Sequence, residues 1–345
     1  MSRPAARLLR LGAIVLLGLG AGVACANGGA RDAEDAPATV THLTTETVTV
    51  VPTTSPPEPF SAPQQRFPPY EPSAGDVFPN GKRLAGRVAQ ELATFGPDAD
   101  AAELAEVDGA PPGLERVVSP LLEPSRRSTG EVLYVQVSGV TATTLGTMVV
   151  VRQHLEDGDG RREQVVRVMD VRLRRTDGPW VLDRVESVGG SPVPRPSTVS
   201  RAAARVLDHP NIELPDTARW DIYRGVVGEE LLRTLADAGD RRRLAITVFR
   251  TGHPRKVWAT GRVSAHTLGR AADIYAVDRV PVVRQRTDGS SAQQLAAAFL
   301  AGGARQVGSP WVIPRSGGRR SFTDRVHQDH LHLDVGSGGF PPPQA

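Results

Sequence analysis

One cysteine, Cys25, is present in 345 residues, so no part of this chain can be held together by an internal disulfide. Each folded portion must rest on a hydrophobic core or on a bound metal. Proline-rich stretches show where such cores cannot lie. Residues 27–80 are dominated by Thr, Pro, Ser and Glu, with a Thr/Val alternation near 39–51 and the paired prolines Pro56, Pro57, Pro68 and Pro69. That composition buries too little apolar area to offset the entropy of ordering, so a disordered tether is expected. A second such stretch, 189–200, contains Pro192, Pro194 and Pro196 and reads as a linker. Two modest folded units remain, 81–188 and 201–340.

The extreme N-terminus has the layout of an export signal. Arg3, Arg7 and Arg10 precede an apolar run over 11–23, which ends in small residues. The run is shorter than the ~20 residues a permanent membrane helix needs. Cys25 lies in Gly22-Val23-Ala24-Cys25-Ala26-Asn27, which resembles a bacterial lipobox except that Gly22 replaces the usual leucine-like residue. Two outcomes stay open, lipidation of Cys25 or ordinary cleavage after Ala26, with 1–26 as the signal. Either way the expectation is an exported protein, lipid-anchored at the cell membrane or secreted, facing the cell wall. Its only link to the membrane would be that signal or lipid anchor.

Of the 41 basic residues only Lys82 and Lys256 are lysines, an arginine bias expected of a GC-rich genome. The net charge of +3, few aromatics and the lack of any Lys/Arg block exclude the basic-patch-plus-stacking pattern of a nucleic-acid binder.

Both folded units read as α+β. In the first, Leu84, Val88, Leu92 and Phe95 recur at helical spacing before Gly96-Pro97. Strand-like segments follow at 132–140, 145–153, 164–174 and 180–188, with Val171 and Leu173 alternating with Arg172 and Arg174. A helix followed by a long-stranded antiparallel sheet is similar to the cystatin or nuclear-transport-factor rolls. Nothing in this unit suggests chemistry, and His154 reads as a surface residue; a spacer or binding accessory is expected. In the second unit, 225–238 has helical periodicity, 244–249 is β-rich, and Ser291 with Gln294 reads as a capping box for a helix ended by Gly302-Gly303.

Five of the eight histidines fall between His253 and His332. One cluster reads Ser264-Ala265-His266-Thr267-Leu268-Gly269-Arg270-Ala271-Ala272-Asp273, the other Asp329-His330-Leu331-His332-Leu333-Asp334. In an extended segment His330, His332 and Asp334 share one face while Leu331 and Leu333 face the core.

These two motifs, Ser-x-His-x-x-Gly-x-Ala-x-Asp and Asp-His-x-His, resemble the zinc D-Ala-D-Ala metallopeptidases and their lysostaphin and hedgehog relatives, over roughly the last 140 residues. The resemblance implies a Zn²⁺ ion held by His266, Asp273 and His332, with Asp329 as general base and His330 beside the reacting carbonyl. It also implies that Arg250, upstream of the first motif, pairs with the substrate's terminal carboxylate, a contact that suits a guanidinium. Two imidazoles and one carboxylate leave a coordination position open for water, as hydrolysis requires. Strict alternation places Asp329 opposite His330 unless the strand begins after it, so Asp334 stays open as the base, with a second role as partner to a histidine N–H. His253 and His327 read as loop residues. The expected function is zinc-dependent hydrolysis of D-amino-acid-containing bonds in peptidoglycan stem peptides, as carboxypeptidase or endopeptidase. The alternative is an inactive peptidase-fold module that binds the wall or a protein partner.

Overall fold

The alternation read over 132–188 becomes a four-stranded antiparallel sheet. In the computed structural model, which describes residues 60, 64–314 and 321–336, this first lobe starts with helix α1 (Pro79–Leu92) and two short helices, α2 (Ala101–Leu104) and α3 (Leu114–Val118). Four strands follow, β1 (Arg126–Val140), β2 (Thr144–Asp157), β3 (Arg162–Arg174) and β4 (Val181–Ser187), paired in the order β1-β2-β3-β4. Val88, Leu92, Val149, Val151, Met169 and Val171 are among the residues that join α1 and the inner sheet face in one core. The signal expected at 1–26, Cys25 and most of the tether lie outside the described residues.

The second lobe is a mixed sheet with helices. In chain order its elements are α4 (Arg201–Leu207), β5 (Ile212–Glu213), α5 (Asp216–Tyr223), α6 (Glu229–Gly239), β6 (Leu244–Val248), β7 (Ala271–Val277), β8 (Val280–Pro281), α7 (Ser291–Ala301), β9 (Gln306–Gly308), β10 (Ser321–Phe322) and β11 (Leu331–Asp334). The sheet order is β10-β9-β11-β7-β6-β5, with β8 on the side of β7. Leu231, Leu235, Leu244, Ile274, Phe299, Leu331 and Leu333 belong to its core. The molecule is therefore α+β in both lobes. No helix among the described residues is long and apolar enough to cross a membrane.

Two details differ from the sequence reading. The cap of α7 is Ser290, whose Oγ accepts from the N–H of Gln293, while the Gln294 amide turns back to Gly289 O. The capping residue is thus one position earlier than Ser291. The segment 64–78, tether-like by composition, has partners on both lobes. Gln64 Nε2 donates to Ser128 O at 2.6 Å, Tyr70 packs over Gly86, and Arg284 Nε donates to Ser73 Oγ at 3.0 Å. A few aromatic and polar anchors thus dock an extended strap that composition alone describes as unable to fold.

The described residues belong to one compact unit, and backbone hydrogen bonding explains why. β4 pairs only with positions 170–174 of β3, leaving the earlier half of that strand without a partner on that side. The first turn of α5 supplies one, since Asp216 Oδ2 accepts from Val166 N–H at 2.8 Å and Thr217 Oγ1 from Val168 N–H at 3.2 Å. On the opposite edge, Val137 N–H of β1 donates to Asp329 Oδ2 at 3.0 Å. Unpaired strand edges carry donors that must be satisfied or left in water, and the second lobe satisfies both. Met148, Val168 and Val248 close a small apolar cluster between the sheets.

Candidate metal centre

The register of two strands sets the first pair of candidate ligands. β11 runs antiparallel to β7 with His332 directly opposite Asp273. Leu331 and Leu333, both fully buried, anchor β11 in the core, each by ~1.5–3 kcal/mol of apolar burial. That anchoring turns His332 to the opposite face. The strand begins at Leu331, after Asp329, so alternation does not govern where Asp329 points.

His266 comes from a tight turn ahead of β7. Ser264 O accepts from Leu268 N–H, and the His266 carbonyl accepts from Gly269 N–H at 2.9 Å. Gly269 has φ +68°, and a Cβ there would lie 2.2 Å from Val226 O. Its carbonyl accepts from Gly228 N–H at 2.7 Å, so the glycine of the motif is required by both conformation and close approach. Ala271 and Ala272 are completely buried.

Three donor atoms converge. His266 Nε2 lies 3.1 Å from His332 Nδ1 and 3.2 Å from Asp273 Oδ1, and His332 Nδ1 lies 2.9 Å from Asp273 Oδ1. A tetrahedral ion with bonds of ~2.0 Å has ligand–ligand edges of ~3.3 Å, so these spacings suit one ion. His253, His266 and Asp273 also form a group able to hold a metal ion, with ligand atoms within 4.8 Å of one another. His253, however, stacks on His266 with centroids 3.8 Å apart and an angle of 15°. Imidazole lone pairs lie in the ring plane, and two nearly parallel planes share no point at bonding distance from both rings. His332, tilted by 51° to His266, meets that requirement, and His253 backs the site.

Second partners fix His266 and Asp273. His266 Nδ1 faces the Phe249 carbonyl at 2.6 Å, so in the neutral ring Nδ1 holds the proton and Nε2 the lone pair a metal would need. Asp273 Oδ2 accepts from Gln136 Nε2 at 2.8 Å, and Gln136 Oε1 accepts from Thr247 Oγ1 at 2.5 Å. Burial would raise the Asp273 carboxyl, but the imidazoles of His266 and His330 and the bonds from His266 and His332 hold it well below the ordinary carboxylate value. Burial pushes His332 down to about 4, against the pull of Asp273, so it stands as a neutral donor.

Asp329 and His330 form a second pair beside this cluster. His330 Nδ1 lies 2.7 Å from Asp329 Oδ1, and His330 Nε2 is 3.8 Å from Asp273 Oδ2. Asp329 is fully buried, and its Oδ2 accepts from Lys82 Nζ at 2.5 Å besides Val137 N–H. Tyr134 Oη donates to its carbonyl at 2.7 Å. Burial would raise the Asp329 carboxyl, but the Lys82 ammonium and the His330 bond outweigh it and hold it below the usual range. For His330 burial lowers the pKa, yet Asp273 and Asp329 more than reverse this and raise it. Asp334 also lines the cavity beside these histidines, where it is paired with Arg270, Oδ1 to Nε at 3.0 Å.

His266, Asp273, His330 and His332 line a cavity of about 540 Å³, to which Asp329 does not contribute. An adjoining cleft of about 1070 Å³ shares the wall formed by His253, Lys256, Val257 and Trp258. Arg250 lines that cleft, not the metal cavity; its N–H donates to Asp221 Oδ2 at 2.9 Å while its side chain is exposed. His327, close to His330 and His332, pairs with Asp324 at 2.7 Å.

The structure thus brings five of the six sequence-derived site residues together and leaves Arg250 next door. Sequence reasoning missed Lys82 and Gln136, both fully buried and both from the first lobe. One signal was available for Lys82: in a chain with 39 arginines the only two lysines are Lys82, on Asp329, and Lys256, on the wall common to both cavities. Nothing local marks Gln136. No protein-family profile matches the chain, and no curated protein or solved structure shows significant similarity to it.

Proposed function

We propose that the chain is an extracytoplasmic zinc peptidase that hydrolyses a D-amino-acid-containing peptide bond of peptidoglycan stem peptides. One observation carries the reading: the convergence of His266 Nε2, Asp273 Oδ1 and His332 Nδ1 within 3.2 Å on the wall of a peptide-sized cavity. The two sequence motifs and the expected export signal supply the substrate class.

The donor set suits zinc, since two neutral imidazoles and a carboxylate leave a coordination position open. Bound there, the ion would supply Lewis acidity, lowering the pKa of a coordinated water toward ~7 and polarising a peptide carbonyl. The remaining work belongs to side chains. Asp329, out of the cavity and held by Lys82 and Val137, serves as the orienter of an Asp–His pair and not as the base that meets water. It fixes the Nδ1 proton of His330, so that Nε2 is the atom able to accept and return a proton. Arg250, in the adjoining cleft, would anchor a substrate carboxylate, and the shared wall lets one extended peptide reach both places.

A second reading, an ion-bearing module that binds the wall without cleaving it, is favoured by the burial of Asp329, the carboxylate at the base position. Zinc content of the purified full chain by mass spectrometry, followed by incubation with muropeptides, separates the two. Roughly one zinc per chain with cleavage that His330→Ala abolishes, zinc being retained, supports the peptidase. Zinc with wall binding but no cleavage leaves the binding module, and neither zinc nor cleavage sinks the peptidase reading.

A further inference from the structure

We infer that the metal centre is assembled from both lobes, with Gln136 of β1 setting the affinity of the His266–Asp273–His332 site from outside the ligand set. This rests on the zinc reading above and goes beyond it, because neither motif nor the second lobe contains the residue.

Asp273 has two oxygens with different tasks. Oδ1 faces the two histidines, while Oδ2 faces Gln136. An ionised carboxylate only accepts hydrogen bonds, so the amide must present its NH₂ to Asp273 and its carbonyl to Thr247. Thr247, fully buried in β6, then has to donate, and the chain Thr247–Gln136–Asp273 has one consistent polarity. It holds Asp273 with one oxygen toward the ion and the other engaged, the arrangement in which outer partners tune affinity.

The same strand reaches the other half of the site. Within four residues of β1, Tyr134 donates to the Asp329 carbonyl, Gln136 to Asp273, and Val137 N–H to the Asp329 carboxylate. β1 is an edge strand, and on its open side Val137 N–H meets no strand partner. Its pairing with β2 shifts register between Val132 and Tyr134 and again between Val137 and Gly139, bracketing this stretch. Irregularities of that kind redirect side chains next to functional sites. The first lobe is therefore a structural part of the site.

The test is the affinity of the full chain for Zn²⁺, measured by competition with a chromophoric chelator, and the visible spectrum of its Co²⁺ form. Gln136→Leu keeps the volume and removes the hydrogen bond. We expect it to weaken Zn²⁺ binding by about 10–100-fold and to change the Co²⁺ spectrum. Thr247→Val keeps Gln136 but frees its amide, and should give a smaller loss that does not add to that of Gln136→Leu. It also serves as the readout should Gln136→Leu fail to fold. Wild-type affinity and an unaltered spectrum in a folded variant would overturn the inference while leaving the zinc reading in place. Absence of Zn²⁺ binding by the wild-type chain would overturn both.

Discussion

The two sheets meet opposite demands. Strands of the first run 13 to 15 residues in β1 to β3 and are joined by hairpins, so its pairing is local and regular. Strands of the second run from two to seven residues and, the tight β7–β8 turn apart, are joined by longer connections, among them the loop of 249–270 that carries Arg250, His253 and His266. Short strands hold their ends poorly, and the second lobe's site loops compensate by leaning on the first. Trp258 lies over Gly139 and Gly146, and its Nε1 donates to Thr144 Oγ1 at 3.2 Å. The difference assigns long regular pairing to one lobe and the loops of the candidate site to the other, and it predicts that damage to the first lobe should be felt in the second.

Lys82→Met is the hardest blow to that arrangement. The ammonium lies 2.5 Å from both Asp76 and Asp329 with all three side chains out of solvent. Removing one partner of a buried ion pair leaves uncompensated charge, a loss of about 3–5 kcal/mol. Denaturant unfolding of the full chain should show it as a lower midpoint with one transition. Two transitions, with only the first shifted, would mean that the lobes are energetically separate.

How much of this could be read from the chain depends on distance along it. His266 and Asp273 sit on one turn and the strand that follows, and His332 on a strand whose leucines announce its inner face; the family resemblance singled these residues out, and local pattern agreed with it. Strand starts decided finer points, since β11 opens at Leu331 and releases Asp329 from the alternation. Lys82 and Gln136 act 247 and 137 residues from their partners, and no periodicity links such positions. Asp329 read as a base because the family resemblance implied one there; only the contact with α1 and β1 reveals its second occupation. The α+β character of both units was visible for the same reason as the motifs, being written in local alternation and helical spacing.

A gentler probe acts at the surface where the two lobes touch. A Cβ on Gly139 would lie 2.2 Å from Trp258 Cδ2 and Cγ, a distance at which something must move. Gly139→Ala should therefore destabilise the chain by about 1–3 kcal/mol, as overpacking does. Combining it with Trp258→Ala should recover part of that loss, because the clashing ring is gone. A fully additive double-mutant cycle in urea would refute the contact as the cause.

Acid gives the smallest and most selective perturbation, because the two carboxylates that share Lys82 are shifted in opposite directions. Asp329 is held below the ordinary carboxylate value by Lys82 and His330 in spite of burial, whereas burial raises Asp76 and Lys82 only partly offsets it. A depressed carboxyl stabilises the fold fully above the unfolded value of about 3.9, and that contribution is lost as pH falls toward its folded pKa. A raised carboxyl works the other way, taking up its proton in the native state first and so gaining stability as pH falls toward the same value. Asp329→Asn should accordingly lower the melting temperature, and that deficit should shrink below about pH 4. Asp76→Asn should remove the opposing contribution, so that its variant loses more stability than wild type does as pH falls from about 5 to 4. Melting curves of the metal-free full chain across this range provide the check. Parallel pH profiles for the wild type and both variants would show that Lys82 does not couple the two lobes electrostatically.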